Sequence, residues 1–126
     1  MERHVNLLGI LATLWGALAM LVGVSMLLLA SGAVAELLAP AANRVDFAAG
    51  LTAAMFVLVG VFALVWGGAH VWAAVLMKRR RPLGRVLSLA LAVVNLLVLP
   101  FGTALGAYAL WVLLQDEGRR LFEPAR

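Results

Sequence analysis

The chain has no cysteine, only 4 prolines and 1 tyrosine, and no more than 6 acidic side chains in 126 residues. Without cysteine there is no disulfide, thiolate metal ligand or thiol nucleophile, so several enzyme classes are excluded and cysteine usage says nothing about redox compartment. The acids are Glu2, Glu36, Asp46, Asp116, Glu117 and Glu123, and none falls inside a long apolar run. Paired intramembrane carboxylates are therefore missing. So are HExxH, GxSxG and any phosphate-cradling loop, which leaves no catalytic constellation and no metal site. The chain is read as non-enzymatic, with no cofactor.

Charge is scarce too. Charged residues are 13% of the chain and hydrophobic ones 65%, and the mean hydropathy is +1.05. A soluble domain does not have this composition; lipid is the solvent it fits. No ionisable residue occurs from Val5 to Ala35. That run exceeds the roughly 20 residues that cross a bilayer core. It is also too long for the h-region of a cleaved signal peptide, roughly 7–15 residues, so it reads as a retained transmembrane helix.

The pattern predicts an all-α fold, an integral membrane four-helix bundle formed by one transmembrane domain, 1–126. Helix 1 is expected over about 6–30, stopping near Ser31-Gly32, and helix 2 over 46–77, with Asp46 as its cap. Residues 83–114 would make a single helix of ~48 Å, so they are divided at Pro100-Phe101-Gly102 into helix 3 (83–99) and helix 4 (102–115), a short hairpin. A polar tail, 116–126, follows, in which Leu121 and Phe122 are apolar enough to rest on the membrane surface. With both termini cytoplasmic, nine of the ten cations lie inside and only Arg44 outside. This bias supports four crossings and argues against dual topology.

The net charge of +4 does not point to nucleic acid, because the cations are clustered. Lys78, Arg79, Arg80, Arg81 and Arg85 occupy one loop between apolar runs. There they orient the protein and meet anionic lipid headgroups.

Helices in lipid are brought together by small residues rather than by hydrophobicity. Gly9, Ala12, Gly16, Ala19 and Gly23 recur at spacings of 3 and 4 and form a seam on helix 1. Ala49, Ala53, Phe56, Gly60, Ala63, Gly67, His70 and Ala74 form the matching seam on helix 2. His70 therefore faces protein rather than lipid. It lies eight residues from Lys78, ~12 Å deep, which on antiparallel helix 1 is the level of Leu11 to Thr13. Thr13 is the expected hydrogen-bond neighbour.

An ionisable residue within the membrane is a candidate site by default, so His70, Thr13 and Asn95 form the candidate intramembrane polar site. The simplest role for His70 is a neutral imidazole joining helices; proton, ligand or haem binding are the alternatives. For haem the only other histidine, His4, lies beyond the end of helix 1, although a symmetric dimer would pair two copies of His70. Asn95 is expected to satisfy backbone near the hairpin or to bond across helices. Ser25, Thr52, Ser88 and Thr103 are expected to bond back to their own helices. Trp72, Trp111 and Tyr108 fit an aromatic belt, whereas Trp15 and Trp66 lie near mid-membrane and are expected in a core or interface.

NLLVLPFGTALGAYALWVLL (95–114), preceded by KRRRPLGR (78–85) and followed by Asp116-Glu117 and Leu121-Phe122, resembles a widespread group of small bacterial four-crossing proteins of unassigned function. NLLGILATLWGALAMLVG near the N-terminus also resembles that group. The chain departs from it at Leu83, where the group often has an aromatic residue. The resemblance implies four helices and the bacterial cytoplasmic membrane, and it supplies no activity. Helix 1 lacks the glutamate of small multidrug transporters, and the paired phenylalanines of dual-topology fluoride channels are absent. The leading expectation is a structural or accessory subunit that packs through its seams against itself, as a homo-oligomer, or against a larger membrane complex, with membrane lipids around it. A small homo-oligomeric channel or transporter using His70 is the alternative. A lipid- or quinone-binding protein is the third.

Overall fold

The computed structural model describes residues 1–38 and 46–123, and these are all-α. Five helices follow in order: α1 (Glu2–Leu37), α2 (Asp46–Lys78), α3 (Pro82–Asn95), α4 (Phe101–Leu114) and α5 (Asp116–Arg120). By length and composition, α1 and α2 are able to cross a membrane, while α3 and α4 are shorter apolar helices. The expected cap of helix 2, the side chain of Asp46, lies outside the described residues.

Helix α1 does not stop at Ser31-Gly32 as expected. Ser31 Oγ donates to the Leu28 carbonyl at 2.6 Å, so the hydroxyl is spent along the helix rather than capping it. Gly32 costs the helix about 1 kcal/mol at most, and apolar Ala33 and Val34 carry the pattern on.

Helix α2 ends in a Schellman turn. The Arg80 N–H donates to the Met77 carbonyl and the Arg81 N–H to the Leu76 carbonyl, closing the last turn. Arg80 takes φ 54°, the left-handed conformation that glycine usually fills at this position. Arg81 is extended, as the residue before a proline must be, and Pro82 opens α3 with its φ already helical.

Helix α3 ends at Asn95, four residues before the expected Leu99. Residues 96–100 form a tight connection with its own bonds: Leu97 N–H to Val94, Val98 N–H to Asn95, and Thr103 N–H to Val98. Thr103 Oγ1 also reaches back to the Leu96 carbonyl at 2.9 Å, rather than to its own helix. The connection thus satisfies backbone groups that a helix running on to Pro100 would leave open.

By their contacts the described residues group into two compact units, Met1–Gly16 with Ala69–Arg126, and Ala17–Gly68. The first has a core of Val5, Leu8, Ala12, Ala74, Met77, Ala92, Ala109, Val112, Leu113 and Phe122. Phe122 is 4% exposed, so the segment after α4 packs into the protein instead of lying on a membrane surface. Gly118 makes this possible, since a β-carbon there would run into the Val112 carbonyl oxygen. In the second unit α1 and α2 touch through glycine. A β-carbon at Gly23 would stand 2.8 Å from the Gly60 carbonyl oxygen, and one at Gly60 would stand 3.0 Å from that of Gly23.

Candidate functional site: a buried histidine–asparagine pair

Three polar side chains are buried among the described residues: His70 at 2%, Asn95 at 2% and Ser88 at 6% exposure. All three belong to the first unit. Glycines bring their helices close. A β-carbon at Gly84 would lie 2.7 Å from the Leu76 and Met77 backbone, which fixes the near approach of α3 to α2. A β-carbon at Gly106 would lie 2.5 Å from the Ala92 carbonyl oxygen and 3.3 Å from the Asn95 β-carbon, so α4 presses directly behind Asn95.

Asn95 Nδ2 donates to His70 Nε2 at 2.8 Å. An amide nitrogen only donates, so Nε2 carries no proton and the imidazole is neutral in this arrangement. The bond ties α2 to α3.

The expected partner of His70, Thr13, is not placed in that role. Its Oγ1 donates to the Gly9 carbonyl at 2.7 Å. The direction in which side chains lean explains the difference. In a helix each Cα–Cβ bond tilts toward the N-terminus. From the α2–α3 turn, His70 is eight residues deep and Asn95 thirteen, an offset of ~7 Å along the helices. On α2 the imidazole leans away from the turn, and on antiparallel α3 the amide leans toward it, so the two tips converge. Thr13, on a helix antiparallel to α2, leans the opposite way from His70.

Around the pair is a cavity with about 20 Å³ open to the centre of a water molecule. Apolar residues make most of its wall, including Leu8, Leu91 and Leu105, and Ser88 is its other polar member. Asn95 Oδ1 and Ser88 Oγ are both buried there without a hydrogen-bond partner. Ser88 therefore differs from Ser25 and Thr52, which bond back to the Leu21 and Ala48 carbonyls as expected. Ser88 shares a helix face with Gly84, Ala92 and Asn95, all of them buried.

The seam residues fall as follows. Gly9, Ala12, Gly16, Gly23, Gly60 and Gly67 are buried, and Ala19 and Ala63 half-buried. The cationic loop is mostly exposed, but two of its members are tied down. Arg85 Nε donates to the Leu113 carbonyl at 3.0 Å, a cation placed at the C-terminal end of α4, where the helix dipole favours it. Arg80 Nη2 donates to Asn6 Oδ1 at 3.3 Å, and its Nη1 is buried without an acceptor. Lys78, Arg79 and Arg81 are exposed.

The aromatics form two groups of ring contacts. His4 Nδ1 lies 3.0 Å from the Tyr108 hydroxyl, and the His4 ring meets Trp111 edge-on at 5.6 Å. Trp15 is half-buried, and Trp66 stacks on Phe62 at 6.0 Å. Among the described residues no three histidine or acidic side chains come together as metal ligands do. The chain matches no protein-family model, no curated protein and no solved structure.

Proposed function

We propose that this chain is a non-enzymatic integral membrane module, a four-helix bundle with both termini cytoplasmic, that serves as a structural or accessory subunit in the bacterial cytoplasmic membrane. The observation that carries this reading is the narrowness of its polar interior. His70 is bonded to the Asn95 amide nitrogen, and the space beside them, about 20 Å³ to the centre of a water molecule, is too small to be a conduit. Lipid accounts for the outer surface. Leu14, Leu21 and Leu28 on α1, and Leu58, Phe62 and Val65 on α2, are each more than half exposed. Water tolerates no apolar surface of that extent. The likeness of the C-terminal hairpin to small bacterial membrane proteins supports the choice of membrane.

Fourteen-residue helices are ~21 Å long, short of a ~30 Å hydrocarbon core. In this reading the α3–α4 hairpin, in place of the expected third and fourth crossings, enters from the cytoplasmic side and turns back within the apolar layer. Its tip suits that place: Leu97, Leu99 and Phe101 are all more than 70% exposed, and the connection bonds its own backbone, as irregular chain at membrane depth must.

Gly23 and Gly60 are already occupied by each other, so a partner would be met by other faces. Purification in mild detergent from the producing cell tests the accessory role, with a stoichiometric membrane partner expected. A pure homo-oligomer whose proton or cation flux in liposomes is lost in His70→Ala would overturn it in favour of a channel.

A further inference from the structure

The cavity beside His70 has a property that a purely packing role does not require. Asn95 uses its amide nitrogen on His70, while its Oδ1 faces protein with no donor to accept from. Ser88 Oγ, on the same wall, is in the same condition. A buried carboxamide oxygen that is left dry is costly, and one orphan beside a void is the situation in which native proteins hold internal water. Volume permits more than one molecule. A cavity that fits a single water snugly leaves its centre almost no room, whereas this one opens about 20 Å³ to water centres. Ser88 and Asn95 are seven residues apart, ~10.5 Å along α3, so no single water touches both. The Asn95 side chain leans toward Ser88, however, and three hydrogen bonds of ~2.8 Å end to end reach ~8.4 Å.

We propose that this cavity is a water-binding site: one molecule donates to Asn95 Oδ1, and a second continues the file to Ser88 Oγ. The remaining wall, with Ala73, Ala92 and Ala109 among its members, supplies methyl groups and no competing donors. A neutral hydrogen-bonding molecule the size of water is the class of ligand it takes; ions need more oxygens than Asn95 and Ser88 provide. The inference does not depend on the accessory role.

The test is water-to-methyl cross-relaxation by NMR on the full-length chain in bicelles, with labelled alanine methyls. Contacts from water to Ala92 and Ala109 are expected, and none to Ala30 or Ala53, which are buried outside the cavity wall. The experiment is repeated in Ser88→Ala, which removes the one hydroxyl proton able to relay exchange; the contacts to Ala92 and Ala109 persist. In Asn95→Leu they disappear. Absence of the contacts in the wild type, their loss in Ser88→Ala, or their survival in a folded Asn95→Leu would each overturn the site. Should Asn95→Leu fail to fold, the wild type and Ser88→Ala still decide.

Discussion

The two compact units hold themselves together by different means. In Ala17–Gly68 the helices meet glycine to glycine, and every hydroxyl whose bond is seen is spent along its own helix: Ser25 to Leu21, Ser31 to Leu28, Thr52 to Ala48. In Met1–Gly16 with Ala69–Arg126, small residues again set the approach, but polar side chains cross between elements. His70 meets Asn95, Arg85 meets Leu113, Thr103 meets Leu96 and His4 meets Tyr108. Polar side chains are thus buried where more than two elements meet. In the second unit only α1 and α2 are present to cover a side chain, whereas in the first α3 and α4 add further flanks, and His70, Asn95 and Ser88 are buried there.

Glycine substitutions probe the feature both units share and carry the largest effect. Gly106→Val drives a side chain into the Ala92 carbonyl and the back of Asn95, and Gly60→Val into Leu27 and the Gly23 carbonyl. Each is expected to cost about 3 kcal/mol, since the backbone has no slack to give, when unfolding is measured in bicelles. The comparison sharpens if only Gly106→Val also moves the His70 ring resonances.

Arg80→Gly is expected to act in the opposite direction. Removing the β-carbon from a left-handed position gains about 1 kcal/mol, less the weak exposed bond to Asn6. Thermal unfolding in detergent reads the sign; a loss would show that the guanidinium has a task beyond closing α2. The smallest change belongs to the other unit. Ser25 is exposed and bonds only along α1, so Ser25→Ala is expected to stay within about 0.5 kcal/mol of the wild type by the same unfolding measurement.

Much of this was legible in the residues, and the misses have a pattern. The apolar runs predict α1 and α2 because period and length overwhelm local detail, and the 3–4 spacing of small residues predicts which faces are buried. The ends of helices were less legible. Ser31-Gly32 has the composition of a stop, yet apolar Ala33 and Val34 keep the helix going, while α3 ends early because the chain must turn before Pro100. His70 is readable as a buried polar group from its seam, and Asn95 as an isolated polar residue in an apolar run. Their pairing is not, since counting depth along the backbone ignores the opposed lean of side chains on antiparallel helices. Arg85 read as one more topology charge because its neighbours are cations, and its bond to Leu113 depends on where α4 ends. Phe122 read as a surface residue because its segment is polar; only Gly118 lets that segment lie against Val112.

The bond between His70 and Asn95 fastens α2 to α3. A double-mutant cycle with His70→Leu, Asn95→Leu and the double variant, with unfolding free energy measured in bicelles, tests it most directly. A favourable coupling of about 1 kcal/mol is expected, the scale of a hydrogen bond between membrane helices. Single effects that add to within about 0.3 kcal/mol would contradict it.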